Sequence, residues 1–147
     1  MITYLLDANV LIALTIKEHE HHERASAWVA GVDHFALCPI VEGALVRFYV
    51  RLGESAAAAI AVLEAIRAMP SYEFWPDGLS YADVDLRHVA GYRQVTDAYL
   101  LDLVRHHSGA RLATLDGGLA AVGSSRVTML TQLTVQRDFP SYDLVRN

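Results

Sequence analysis

The chain has 147 residues and a mass of 16.2 kDa, the length of one ordinary domain. Hydrophobic residues make up 53% and charged residues 20%, enough apolar material for a core and too little charge for a disordered chain. A single cysteine, Cys38, excludes a disulfide framework and any zinc site built on paired cysteines. The net charge of −5 argues against non-specific nucleic-acid binding, which needs a basic surface, but leaves room for carboxylates that hold cations.

The apolar stretch between Asn9 and Lys17 is too short to span a membrane, and Asp7 ahead of it does not suit a signal peptide. The expectation is a soluble cytoplasmic protein. Of the 12 basic residues only Lys17 is lysine, so chemistry that requires a lysine has little to draw on.

In chain order, residues 2–6 are apolar with β-branched and aromatic members and read as a buried strand. A helical stretch follows at 10–16, and 22–32 carries apolar residues at spacings of three and four, a second helix. Residues 34–38 read as a second strand, stopped by Pro39, which suits the first turn of a helix. Residues 40–52 and 55–69 form a helical hairpin broken at Gly53.

A third strand is expected at 72–75. Helices are expected at 80–91, where Ser80 and Asp83 make a capping pattern, and at 96–108, ended by Gly109. Strands at 111–115 and 126–130 flank a short helix around 119–122. Alternating strands and helices imply an α/β domain, a three-layer sandwich with a mainly parallel sheet of about five strands. Residues 1–130 form this domain, and 131–147 are a tail without a clear pattern.

In such a sheet, ligands collect at the carboxyl ends of the strands. Asp7 and Asp116 end the first and fourth strands, Glu42 opens the helix after strand two, and Asp97 opens the helix that feeds strand four. Four carboxylates therefore meet one rim. Each alone has a plain role as a helix-dipole or turn residue. Together they repel and raise one another's pKa, and a hard divalent cation such as Mg²⁺ or Mn²⁺ relieves that. Asp33, Asp77, Asp85 and Asp102 are read as solvated surface.

The residues 5–12 (LLDANVLI), Glu42 after Pro39, Thr96-Asp97-Ala98 and 112–116 (LATLD) resemble the PIN-domain nucleases, in particular the VapC-type toxins of toxin–antitoxin systems. The resemblance implies a Mg²⁺- or Mn²⁺-dependent endoribonuclease with Asp7, Glu42, Asp97 and Asp116 as catalytic carboxylates. Asp7, Asp97 and Asp116 would hold the metal, supported by Asn9, Thr96 and Thr114. It also implies an RNA substrate, a VapB-type antitoxin partner and a homodimer. The apolar positions Leu45, Val46, Phe48, Tyr49 and Val62 of the hairpin are candidates for a groove that receives the partner.

Other readings are weaker. A phosphoaspartyl enzyme would want a lysine near the phosphate, and Lys17 lies beyond a helix. A catalytically inactive PIN-like module that binds RNA or acts as a scaffold would be signalled by loss of one of the four carboxylates, and all four are present. His19, His21 and His22 lack metal-ligand spacing, and His106 and His107 suit a helix C-terminus. Cys38, Trp28 and Tyr99 are expected in or beside the core.

Overall fold

A computed structural model describes residues 1–130; the expected tail at 131–147 lies outside the described residues. Among these residues five strands form one sheet, every pairing in it parallel: β1 (Thr3–Leu6), β2 (His34–Leu37), β3 (Tyr72–Phe74), β4 (Ala110–Thr114) and β5 (Val127–Met129). Their spatial order is β3-β2-β1-β4-β5. Leu5 of β1 pairs with Ala36 on one side and Leu112 on the other, and all three are fully buried. Central parallel strands covered on both faces need such apolar runs, which is why 2–6 and 110–114 are legible without alternation.

Among the described residues six helices cover the sheet: α1 (Ala8–Thr15), α2 (His22–Ala30), α3 (Pro39–Arg51), α4 (Ala56–Arg67), α5 (Val95–Arg105) and α6 (Gly117–Gly123). From β1 to β3 the chain steps one way across the sheet, and from β3 to β5 it steps back. Right-handed crossovers then put α1–α4 on one face and α5 and α6 on the other. The reversal falls between β1 and β4. That is the switch point at which open α/β sheets form their crevice.

Local signals set the boundaries. Ser55 Oγ accepts the Ala58 N–H at 3.0 Å and starts α4, while Gly53 takes φ +88° in the hairpin turn, a region costly for any side chain. Gly109, at φ +71°, makes the corresponding turn from α5 into β4.

One expected helix is absent. Residues 80–91 hold a single 3₁₀ turn, Tyr81–Asp83, and a second 3₁₀ turn, Tyr92–Gln94, leads into α5. The Ser80 cap forms, Oγ accepting the Ala82 N–H at 3.1 Å, but the turn stops there. The Asp85 N–H, which a helix would spend on Tyr81, goes instead to Asp102 Oδ2 at 2.7 Å. A charge-assisted bond to a buried carboxylate outweighs one more turn of a solvent-exposed helix.

Candidate active site

Asp7 is the last residue to bond into β1, its N–H donating to the Ala113 carbonyl at 2.9 Å, and the first to cap α1. Its side chain is 6% exposed, and both oxygens are engaged. Oδ1 accepts the Ala8 N–H at 2.7 Å, and Oδ2 accepts the Thr114 hydroxyl at 2.8 Å.

Thr114, the last residue of β4, is fully buried and uses its whole hydroxyl. It donates to Asp7 and accepts from Asn9 Nδ2 at 3.3 Å and from the Asp116 N–H at 3.0 Å. One donor and two lone pairs are thereby spent. Asn9 also accepts the Leu115 N–H at 3.1 Å, so α1 grips the end of β4 with both ends of one amide. Asp116 is exposed, and its Oδ1 accepts the Gly118 and Leu119 N–H groups at 2.8 and 3.3 Å.

Asp97 sits half-buried in the first turn of α5, which descends from the same edge. Burial first, then the charges of Asp7 and Asp116, push its carboxyl up to about 6. Burial also raises Asp7, against the pull of its bonds to Thr114 and Ala8, and Asp116 raises it further. Three aspartates from three distant segments thus share one field at the switch point. Asp97 and Asp116 line a cleft of about 220 Å³ that also takes in His88 and Gln94 of the connection before α5.

Glu42 reaches the same edge but faces elsewhere. It lines a second depression with Ile60, Leu63, Arg67, Tyr72 and Phe74, between the hairpin and β3. Burial raises its carboxyl, Arg67 lowers it and Asp77 raises it; none of the three aspartates is among these influences. The reason is positional: β2 lies one strand out from the β1–β4 crevice, and Glu42 shares its depression with Ile60, Leu63 and Arg67 of α4. Thr96 is exposed and makes no side-chain hydrogen bond among the described residues.

The oxygen-only donor set of Asp7, Asp97 and Asp116 fits a hard divalent ion. Among the described residues, no three acidic, histidine or cysteine side chains stand close enough together to hold a metal ion between them. An open arrangement is what Mg²⁺ takes, since it keeps several waters and needs only one or two carboxylates directly.

The other singled-out residues have structural work. His22 Nδ1 lies 2.8 Å from the Ala13 carbonyl and ties α2 to α1. His106 and His107 pair with the carbonyls of Asp102 and Leu103 at 2.7 and 2.9 Å in the last turn of α5, and His107 stacks on Trp75 with ring centroids 3.6 Å apart. Trp28 packs edge-on to Tyr4 at 4.9 Å. Cys38 is buried, and burial pushes its thiol up to about 12, which makes it unreactive.

One expectation about these residues needs correction. Asp102 is not solvated: it is 6% exposed and holds both the Asp85 N–H and Arg105, each at 2.7 Å. Its place inside the run 100–104 (LLDLV), three residues after Tyr99, puts it on the buried face of α5 and could have been read from the sequence. Of the hairpin's candidate groove residues, Leu45 and Tyr49 belong to the core, 0% and 8% exposed, while Val46, Phe48 and Val62 are partly buried against it. The apolar residues that do face outward there are Val50, Leu52 and Ile60.

Comparison with known proteins shows the family. The model of the PIN domain family matches residues 4–124. Ribonuclease VapC29 of Mycobacterium tuberculosis is 57% identical over 119 residues, 80% of this chain and 89% of its own length. Ribonuclease VapC38 of the same species is 40% identical over 129 residues, covering 83% and 91%. Among solved structures, that of the PIN domain endonuclease Utp24 superposes with a TM-score of 0.50 at 13% identity, over 88% of this chain and 86% of that one, a likeness of fold alone. The crevice built by Asp7, Asp97 and Asp116 is therefore carried by a chain that belongs to the PIN domain family, in its VapC branch.

Proposed function

We propose that the protein is a divalent-metal-dependent endoribonuclease that hydrolyses RNA phosphodiester bonds, and that it is the toxin of a toxin–antitoxin pair. The observation that carries the reading is the convergence of Asp7, Asp97 and Asp116, where the charges of Asp7 and Asp116 oppose that of Asp97 and the charge of Asp116 opposes that of Asp7. Such a trio favours a divalent cation strongly, and its relatives are named ribonucleases.

Asp7, Asp97 and Asp116 would hold Mg²⁺ or Mn²⁺; when bound, the ion supplies an acidified water and neutralises charge on the phosphate. The chain's own residues do the rest. Thr114 and Asn9 fix Asp7 and the start of the Asp116 turn, so the carboxylates stay aligned. Asp116 lines the cleft and spends only Oδ1 on the amides of its own turn. Thr96, exposed beside Asp97 in the first turn of α5, would support that carboxylate from alongside. Glu42 completes the catalytic carboxylates from the adjoining depression, where Arg67 tempers its charge.

The partner is a VapB-type antitoxin, and the protein works in the cytoplasm as a homodimer. No helix among the described residues is long and apolar enough to cross a membrane. Exposed Val50, Leu52 and Ile60 on the α3–α4 hairpin supply the apolar surface for self-association. Light scattering at micromolar concentration reads this directly; a monomer overturns the dimer.

The test of the activity is cleavage of total RNA by the purified full chain. Cleavage is expected with Mg²⁺ or Mn²⁺, and is lost in EDTA and in Asp7→Asn or Asp97→Asn, whose fold survives by circular dichroism. Undiminished cleavage after metal removal overturns the metal-dependent mechanism.

A further inference from the structure

The connection from β3 to α5, residues 75–94, is held down by α5 itself. Asp102 takes the Asp85 N–H at 2.7 Å, and the Tyr99 hydroxyl donates to the Leu79 carbonyl at 2.8 Å. At the far end Gln94 Oε1 accepts the N–H groups of both Ala90 and Gly91. A segment so fixed presents its outward side chains in set positions. On it stands Tyr92, 81% exposed and the most exposed aromatic ring among the described residues. Arg93 lies against it, Nε 3.3 Å from the hydroxyl and the guanidinium carbon 5.7 Å from the ring centroid.

The position is tied to the carboxylates. His88, Val89 and Gln94, on either side of Tyr92, line the cleft whose other wall includes Asp97 and Asp116. The turn Tyr92–Gln94 runs directly into α5, whose first turn holds Asp97. The local cations are largely spent: Arg87 bonds both oxygens of Asp85, at 2.9 and 2.8 Å, and Arg105 pairs with Asp102 at 2.7 Å. With a net charge of −5, the chain has little basic surface with which to hold a phosphate backbone by charge alone.

We propose that Tyr92, braced by Arg93, is a platform on which one unpaired RNA base stacks while the adjoining phosphate lies in the aspartate crevice. This rests on the ribonuclease reading above and adds a base-binding position to it, one that needs a base free to splay out. Every base has a π-face, so the platform tolerates any sequence, and an arginine plane beside the ring extends it. A-form duplex keeps its bases paired inside and cannot use it. A protein partner fits less well, because the neighbours of Tyr92 are Gly91, Arg93 and Gln94, all exposed and none apolar enough to extend a hydrophobic patch.

The test measures initial cleavage rates of the full chain with Mn²⁺ on a labelled pool of unpaired oligoribonucleotides and on the same pool annealed to complements. Tyr92→Ala is expected to raise KM by about 5- to 150-fold, the loss of one base-on-aromatic stack, with kcat nearly unchanged. Tyr92→Phe and Tyr92→Trp keep the ring and restore most of the affinity, and paired RNA is cut poorly by the wild type. Melting temperatures equal to wild type exclude a folding defect, as expected at so exposed a position. Wild-type cleavage with KM unmoved by Tyr92→Ala overturns the platform alone, even where that variant weakens binding of a protein inhibitor. Equal cleavage of paired RNA, or a Phe variant as poor as Ala, overturns it too. A wild type that cleaves no RNA under any metal overturns the ribonuclease reading and the platform with it.

Discussion

Thr114 and Asp7 are 107 residues apart in the chain, and their side chains meet at 2.8 Å in the buried seam between β4 and β1. The bond joins the two strands at the one place where neither continues. Through it the carboxylate of Asp7, costly to bury as an anion, receives a donor that favours its charged form. The same hydroxyl receives the Asp116 N–H, so a single oxygen sets the spacing of two of the three aspartates.

Thr114→Val keeps the shape and removes that oxygen. Asp7, Asn9 and the Asp116 N–H each lose a partner, so the variant should be less stable by about 1–3 kcal/mol. The Asp7 carboxyl should rise further, because a lowering influence is gone. Urea unfolding and cleavage rate at fixed Mn²⁺ read the two effects. Thr114→Ser, which keeps the hydroxyl, should recover most of both; a serine variant as impaired as valine would assign the effect to packing.

Asp102→Ala tests the anchoring of the connection before α5. The Asp85 N–H and the Arg105 guanidinium both lose their acceptor, and the expected cost is about 1–3 kcal/mol. Hydrogen exchange at the Asp85 amide should quicken well beyond any change at Leu5 or Leu112 in the central strands. Uniform quickening across the sheet would mean that Asp102 supports the whole fold and not this segment.

Much of this was legible before any coordinates, and the exceptions share a cause. Asp7 and Asp116 are readable because a strand end is a local fact: an apolar run stops at a carboxylate, and the edge follows from parallel topology. Asp97 follows from the helix that feeds β4. The neighbours of Glu42 are not local. Its edge is right, but its field comes from Arg67 on α4 and Asp77 beyond β3, and nothing near residue 42 encodes which strand stands beside which. The missing helix at 80–91 has the same origin, since Asp102, 17 positions on, takes the amide that the helix needed. Leu45 and Tyr49 of the hairpin were readable as apolar, though not as core residues packed between α3 and its neighbours α1 and α4.

Glu42 and Asp97 should separate in one measurement. Asp97 shares the field of Asp7 and Asp116, whereas Glu42 answers to Arg67 and Asp77. Mn²⁺ should therefore raise the melting temperature of Glu42→Gln nearly as much as that of wild type, while its effect on Asp97→Asn should be small, because a ligand stabilises only the state that binds it. Cleavage should fall in both. Loss of the Mn²⁺ shift in Glu42→Gln would place Glu42 among the metal ligands.

The pH dependence of the metal-free protein follows from Asp97. Its carboxyl titrates at about 6 in the folded chain against 3.8 unperturbed, so between these values the folded state holds a proton that the unfolded state has released. Stability falls with rising pH wherever the folded state binds more protons. The contribution is therefore whole below the unperturbed value and is lost as pH rises through about 6. Asp7 is shifted in the same direction and adds to the fall, whereas Asp85, held well below the usual carboxylate range by Arg87, works the opposite way at lower pH. Subtracting the melting curve of Asp97→Asn from that of wild type, both in EDTA, isolates Asp97: the difference should grow to the disadvantage of wild type from about pH 4 to about pH 7. Mn²⁺ binds the deprotonated carboxylates, so its stabilising shift should widen over the same window and offset the loss. A Mn²⁺ shift equal at about pH 5 and about pH 7 would mean that the ion is held by groups already charged at the lower pH, and Asp97 would not be among its ligands.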